Sequence, residues 1–88
     1  MNYSLEITKQ ALSDIEVHKK AGDKIVLKKL ATLFEELLEN PFTGTGKPEP
    51  LKYNLTGYWS RRINKEHRLI YEVIDKIVVV HSTLGHYL

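Results

Sequence analysis

The stretch "YWSRRINKEHRLIYEVIDKIVVVHS", residues 58–82, decides the fold of this chain. It contains three runs rich in β-branched and aromatic residues, separated by a short turn at "NKEH" and another at residues 75–76. Runs of this kind are typical of β-strands, and short turns join strands that pair antiparallel. This part of the sequence therefore predicts three consecutive antiparallel strands.

Side-chain alternation along the first two of these strands predicts which face of the sheet each residue occupies. If Trp59 and Tyr71 pack against helices, Arg62 and Arg68 project together from the open face. Arg61 is then left on the core side, near an edge of the sheet. The sequence does not fix the hairpin register, and a slip of one residue would reverse this arrangement.

The first half of the chain predicts one strand and two helices. "YSLEI", residues 3–7, is typical of a short strand, and "TKQALSDIEVHKKAG", residues 8–22, is typical of a helix whose apolar residues share one side: Ala11, Leu12 and Ile15. Gly22 is a good helix stop, and Asp23 is a good N-cap for a second helix over residues 24–39. The second helix has a wide apolar face built around Val26, Leu30, Leu33 and Leu37.

The order of these elements is β-α-α-β-β-β. It predicts an α+β fold in which two helices pack on one face of a mainly antiparallel, twisted sheet. The length of 88 residues predicts a single domain over residues 1–88. The chain has no cysteine, which excludes disulfides and thiolate chemistry and fits a cytoplasmic location. Neither a secretory signal nor an apolar run of the ~20 residues that span a membrane is visible.

Positive charge is concentrated in one segment. Residues 47–68 contain six basic and two acidic side chains, whereas the rest of the chain contains seven basic and nine acidic ones. Such a cluster attracts a polyanion such as nucleic acid. A solvated sheet face accounts for the charge equally well, so charge alone does not decide between them.

The motif "KPEPL", residues 47–51, places Glu49 between two prolines. Proline fixes its own φ and restricts the residue before it, so Pro48 and Pro50 make this backbone stiff and extended. A carboxylate that must meet a substrate atom benefits from such support. The alternative is that the prolines merely guide the loop into the sheet.

The four histidines give weaker indications. His18 falls in the middle of a helix and His67 in a turn, and both are predicted to be solvated. His81 falls in the last strand, where a packed or edge role is expected. His86 follows Gly85 near the end of the sequence, where a side chain is more often idle than functional. Two histidines without a third ligand do not predict a metal site.

The segment "NPFTGTGKPEPLKYNLTGYWSRRINKEHRLIYEV", residues 40–73, together with "HY" at residues 86–87, resembles the YoeB/Txe family of bacterial toxins in the RelE superfamily. The resemblance is close over residues 40–73 and resumes at residues 86–87. The first third matches only in its strand–helix–helix pattern. The order and spacing of "GKPEPLK", "GYWSRRI" and "EHRLIY" are highly specific.

The resemblance implies a type II toxin: a ribosome-dependent messenger-RNA endonuclease, held inactive by a cognate YefM-like antitoxin. It implies no cofactor and no metal, and it leaves open whether the toxin forms a homodimer. The family's catalytic residues fall on Glu49, Arg68 and His86, and its RNA- and phosphate-binding residues fall on Lys52, Arg62 and Tyr87. The chain departs from the pattern by carrying Leu88 after the usual closing "HY" and by lacking a basic residue in "STLG".

The residue types fit that chemistry, because RNA carries its own nucleophile, the 2′-OH beside the scissile phosphate. Cleavage needs a base, an acid for the leaving 5′-oxygen and cations for the phosphorane. Glu49 suits the first task, His86 the second, and Arg68 the third. Two alternatives remain: a non-catalytic inhibitor on the same fold, similar to the ParE toxins that act on DNA gyrase, or a simple RNA- or protein-binding domain.

Overall fold

A computed structural model of the chain describes residues 2–85. Its elements are, in order, β1 Ser4–Ile7, α1 Lys9–Lys20, α2 Lys24–Glu39, β2 Glu49–Pro50, a 3-10 turn at Tyr53–Leu55, β3 Tyr58–Arg62, β4 Arg68–Ile74 and β5 Ile77–Ser82. The predicted α+β fold is confirmed. The structure adds one strand, β2, inside the segment predicted to be a loop.

The strands form one sheet in the order β1-β5-β4-β3-β2. The last four strands in the chain pair antiparallel, whereas β1 lies at an edge and runs parallel to β5. In the β3–β4 hairpin Trp59 lies opposite Tyr71, and Arg62 lies opposite Arg68. Residues directly opposite each other share a face, so this register confirms that the two arginines project from one side of the sheet.

Both helices cover the other side of the sheet. The buried core joins residues from α1 and α2 to residues from the strands and the β3–β4 turn: Ala11, Val26, Leu30, Leu33, Leu37, Ile63, Leu69, Tyr71, Val78 and Val80. The four-residue stripe predicted for α2 is therefore confirmed. Thr8 and Asp23 cap the helices, their side chains accepting hydrogen bonds from Ala11 N and Val26 N.

The buried face of α1 differs from the predicted one. Leu12 is 56% exposed, whereas Asp14 and His18 are each only 3% exposed. Residues 11, 14 and 18 are spaced three and four apart, so they share one face of the helix, and Leu12 lies about 100° around the axis from Ala11. The polar members of this face meet the segment that follows β5. Within residues 2–85, the structure contains no helix long and apolar enough to cross a membrane.

A buried arginine fastens the loop between α2 and β2 to the sheet. The Arg61 side chain is fully buried, lies on the helix side of β3 as predicted, and forms an ion pair of 2.8 Å with Glu36 on α2. Its Nε donates to the Tyr71 hydroxyl at 3.1 Å. Its two terminal nitrogens also donate to backbone carbonyls of the loop: Asn40 at 3.1 Å, Thr43 at 2.7 Å and Thr45 at 3.3 Å. The loop that leads to Glu49 is thus held from inside the core.

Candidate active site

Arg68 is the first residue of β4, the middle strand of the sheet, and lies on the open face. Its Nη2 is 3.4 Å from Glu49 Oε1, and its Nε donates a hydrogen bond to Ser60 Oγ. The β2–β3 pairing sets Glu49 directly opposite Ser60, which brings the carboxylate next to the guanidinium. The Glu49 side chain is 55% exposed and that of Arg68 is 17% exposed, so the carboxylate remains accessible beside a well-packed cation.

The two prolines of "KPEPL" place Glu49 in a short edge strand. Pro50 lacks an N–H and is tolerated at an edge, where one side of the strand has no neighbour. Directly after it, Leu51 N donates to Tyr58 O at 2.8 Å and continues the pairing with β3. The prolines therefore do guide the loop into the sheet, and the same geometry turns Glu49 toward Arg68.

Arg62 extends the basic surface beyond Arg68. It is exposed, lies directly opposite Arg68, and its Nε donates to Asn64 O at 3.3 Å. Beside it is a concavity of about 270 Å³, whose lining includes Lys29 from α2 and Lys47 from the loop. Three cations from three separate elements therefore surround one open pocket.

The loop reaches this pocket by approaching β3 closely at Gly46. The Arg62 N donates to Gly46 O at 2.8 Å, and a Cβ at position 46 would lie 2.7 Å from Arg62 O. Gly46 also has φ +83°, a conformation that side chains disfavour. Only a glycine fits here, and its close approach to Arg62 brings the next residue, Lys47, into the lining of the pocket.

A second concavity, of about 300 Å³, lies next to Glu49 and is lined in part by Lys52 and Tyr53. Tyr53 is 89% exposed and has φ +59°, an uncommon conformation for a residue other than glycine. The turn is held by Thr56, whose hydroxyl donates to Tyr53 O at 2.7 Å. Tyr53 was not among the predicted site residues. The available signal was an aromatic side chain next to Lys52 in a segment rich in turn-forming residues.

Four of the six predicted site residues therefore lie on or beside the open face: Glu49, Lys52, Arg62 and Arg68. The other two, His86 and Tyr87, lie outside the described residues. The last described residue, Gly85, is adjacent to the site, because its carbonyl accepts a hydrogen bond of 3.0 Å from Arg68 N.

The prediction that His18 is solvated is wrong, and His67 is only partly exposed. His18 is buried and its Nε2 donates to Thr83 O at 2.9 Å, while His67 Nδ1 accepts from Gly85 N at 2.9 Å. The two rings meet edge to face, with centroids 4.8 Å apart. Asp14 Oδ2 accepts from Thr83 N at 2.9 Å. The segment after β5 therefore contacts α1 through Thr83 and the β3–β4 turn through Gly85.

His81 has the packed role that was predicted for it. Its ring stacks on Tyr58 with a centroid distance of 5.0 Å, and its Nε2 lies 2.7 Å from Glu72 Oε1. This cluster lies on the same face of the sheet as Arg68. Among residues 2–85, no group of three or more histidine, aspartate and glutamate side chains could hold a metal ion.

The electrostatics of the Arg61 cluster favour one protonation state. Burial alone would raise the pKa of Glu36, but hydrogen bonds from Thr45 and the charge and hydrogen bond of Arg61 hold that pKa below its usual value. Burial raises the pKa of Tyr71, and the neighbouring Arg61 offsets this only in part. Tyr71 therefore stays protonated and donates to Pro41 O at 2.6 Å.

Comparison with known proteins shows that this chain is similar to members of one family. A family model described as "YoeB-like toxin of bacterial type II toxin-antitoxin system" matches residues 7–87. A protein named toxin YoeB from Synechocystis is 52% identical over 66 residues, which cover 75% of this chain and 77% of that protein.

Solved structures agree with this match. A YoeB dimer from Staphylococcus aureus superposes with a TM-score of 0.85 at 41% identity, covering 99% of this chain and 100% of that one. The toxin chain of a heterotetrameric YoeB–YefM toxin–antitoxin complex from the same organism gives a TM-score of 0.84 at 41% identity, with the same coverage.

Proposed function

Because this chain belongs to the YoeB-like toxins of bacterial type II toxin–antitoxin systems, we propose that it is an endoribonuclease that cleaves messenger RNA on the ribosome in the cytoplasm. One observation carries the proposal beyond family membership. An accessible carboxylate, Glu49, lies 3.4 Å from a well-packed guanidinium, Arg68, on a face that also presents Arg62. A base next to phosphate-binding cations is what RNA cleavage by an internal nucleophile requires.

The reaction starts at the 2′-OH of the RNA. Glu49 takes its proton while the 2′-oxygen attacks the adjacent phosphorus. Arg68, with Arg62 in support, donates to the phosphate oxygens, on which negative charge accumulates. The bond from phosphorus to the 5′-oxygen breaks, and His86 gives that oxygen a proton. The products are a 2′,3′-cyclic phosphate and a 5′-hydroxyl, and the scheme assigns no step to a metal ion.

The hydrogen bond from Arg68 Nε to Ser60 Oγ supports this role for the arginine. It fixes one edge of the guanidinium against the sheet while Nη2 faces the Glu49 carboxylate. A cation held in place before the substrate arrives needs little reorganisation in the transition state. Lys52 and Tyr87 complete the proposed RNA contacts, with Tyr87 stacking on a base or orienting His86.

Analysis of the cleavage products tests the chemistry. Ribosomes programmed with a short messenger RNA should yield a 2′,3′-cyclic or 3′-phosphate and a 5′-hydroxyl. A single 2′-deoxy sugar on the 5′ side of the scissile phosphate should stop cleavage. Activity that survives the 2′-deoxy substitution would contradict the proposed nucleophile.

Substitutions test the assigned residues. Glu49→Gln, Arg68→Ala and His86→Ala should each slow cleavage by roughly 10²–10⁴-fold and abolish growth arrest, because each removes an acid, a base or a phosphate donor. Glu35→Gln, on an exposed position of α2, is the matched control and should cleave normally. A folded His86→Ala protein with full activity would remove that residue from the mechanism.

We also propose that a YefM-like antitoxin holds this toxin inactive, as the heterotetrameric complex from Staphylococcus aureus supports. An exposed cationic face suits an acidic segment that folds on binding. The dimer of the same relative supports homodimerisation. Light scattering of the free toxin and of its complex measures both assemblies, and a purely monomeric toxin at all concentrations would contradict the dimer.

A further inference from the structure

A cluster of polar side chains that the proposed reaction does not use holds the chain just before residue 86. Thr83 and Gly85 are held by both their N–H and their C=O groups. Thr83 N donates to Asp14 Oδ2, and Thr83 O accepts from His18 Nε2, each at 2.9 Å. Gly85 N donates to His67 Nδ1 at 2.9 Å, and Gly85 O accepts from Arg68 N at 3.0 Å.

Three of these hydrogen bonds are made by side chains and define the tail anchor: Asp14, His18 and His67 hold Thr83 and Gly85. The fourth comes from the backbone of Arg68. The half of the anchor around Thr83 is well shielded, because Asp14, His18 and Thr83 are 3%, 3% and 0% exposed, and the hydrogen bond between Gly85 and His67 is partly buried. Buried hydrogen bonds are costly to break, since a group that loses its partner cannot turn to water. The edge-to-face contact of His18 and His67 joins α1 to the β3–β4 turn, so the two histidines that bind Thr83 and Gly85 also pack against each other.

The hydrogen bonds also fix the tautomers of the two rings. A carbonyl can only accept, so His18 Nε2 carries a proton toward Thr83 O. An N–H can only donate, so His67 Nδ1 presents its lone pair to Gly85 N. His67 also directly precedes Arg68 in the chain. Two consecutive residues therefore hold Gly85: the His67 side chain accepts from its N–H, and the Arg68 N–H donates to its carbonyl.

We propose that the tail anchor is a positioning device for catalysis, in which His18 and His67 hold Thr83 and Gly85 in place, and Gly85 is bonded directly to residue 86. Gly85 is held at both its amide and its carbonyl, next to Arg68. A displacement of about 1 Å in a reacting group can cost roughly 100-fold in rate. The anchor therefore acts on His86, the residue that the proposed function assigns as the general acid, and this inference rests on that assignment.

The test compares His67→Leu with His67→Asn, whose side-chain oxygen can accept the Gly85 N–H in place of Nδ1. His81→Leu, a histidine outside the anchor, is the matched control. We expect His67→Leu to lower the single-turnover cleavage rate by at least about tenfold with binding to programmed ribosomes unchanged, and His67→Asn to restore most of it. Urea unfolding of each variant shows whether the fold survives.

A second readout does not depend on cleavage. Amide hydrogen exchange at Gly85 should accelerate in His67→Leu and stay slow in His67→Asn and His81→Leu. Loss of Gly85 protection with an unchanged cleavage rate would overturn the positioning role, as would failure of His67→Asn to restore a folded variant's rate. If the wild-type protein does not cleave RNA, the proposed function itself has failed. If it cleaves and His67→Leu cleaves equally well, only the anchor inference has failed.

Discussion

Arg61 and Arg62 are neighbours on β3 with the same side chain, yet they have opposite environments. Arg61 lies on the helix side, fully buried, with Glu36, Tyr71 and three backbone carbonyls as acceptors. Arg62 lies on the open side, exposed, and its guanidinium donates to the Asn64 carbonyl. The difference follows from strand alternation alone. One guanidinium has its hydrogen bonds satisfied by the fold, and the other has donors left for a ligand.

This contrast extends to the two faces of the whole sheet. The helix side uses its buried charge to hold the loop between α2 and β2, which determines where Glu49 stands. The open side keeps its cations near the surface, where Arg62 is exposed directly opposite Arg68. A substitution on the first face should change stability, and a substitution on the second should change activity.

The largest effect is expected at Arg61. Arg61→Leu leaves three loop carbonyls and the Tyr71 hydroxyl without their donor and separates a half-buried Glu36 from its partner. Breaking a buried ion pair typically costs about 3–5 kcal/mol, a large share of the roughly 5–15 kcal/mol that stabilises a small domain. Urea denaturation measures the loss. Arg62→Leu is the matched control, because an exposed substitution usually stays within about 0.5 kcal/mol. Equal losses for the two variants would erase the proposed distinction.

Arg62 should show the converse behaviour. Arg62→Leu should cleave RNA about tenfold more slowly or worse, because a hydrogen bond to a charged group contributes roughly 1.5 kcal/mol or more. Its unfolding midpoint should match that of the wild type. Arg62→Lys should recover only part of the rate, since lysine lacks the planar pair of donors. A wild-type rate for Arg62→Leu would show that Arg68 binds the phosphate without help.

The contribution of Glu36 to stability should depend on pH. Its pKa in the folded protein lies below its usual value near 4.5, so the unfolded chain takes up the proton first as the pH falls. The stabilisation by the carboxylate is fully present above pH ~4.5 and is lost as the pH falls through the folded pKa. The stability gap between wild type and Glu36→Gln should therefore be wide at pH 7 and narrow below pH ~4.5. Denaturation curves across this range measure it, and a gap that does not change with pH would refute the argument.

The smallest effect is expected in the pocket between α2 and the loop. Lys29 lines it, whereas the next residue back on α2, Lys28, is exposed and is not part of its lining. If the pocket holds an RNA phosphate, Lys29→Gln should reduce the salt dependence of binding to single-stranded RNA by about 0.7 in log–log slope. Lys28→Gln makes the same change in net charge and should alter the slope less. Identical slopes for the two variants would show that only net charge matters.

The sequence predicted what depends on local pattern. Strand alternation put Arg62 and Arg68 on one face, and the periodicity of α2 identified its buried stripe. It did not predict contacts between distant residues. His18 meets Thr83 across 65 positions, and nothing near His18 indicates this. Strand β2 has two residues, too few for a periodic signal. The location of Arg61 was predicted, but its acceptors were not, because three of them are carbonyls of an irregular loop.

The parallel pairing of β1 with β5 has a consequence for synthesis. Ser4 pairs with Ile77, and Asp14 binds Thr83, which is 69 positions later in the chain. Glu49 and Arg68, by contrast, are only 19 positions apart. Contacts so distant in sequence raise the contact order and delay folding. A nascent chain can bring Glu49 and Arg68 together early, but it cannot close its sheet or fix Thr83 until nearly all of it has been translated. We therefore expect a nascent chain to lack the proposed cleavage activity until β5 and Thr83 have been translated and paired.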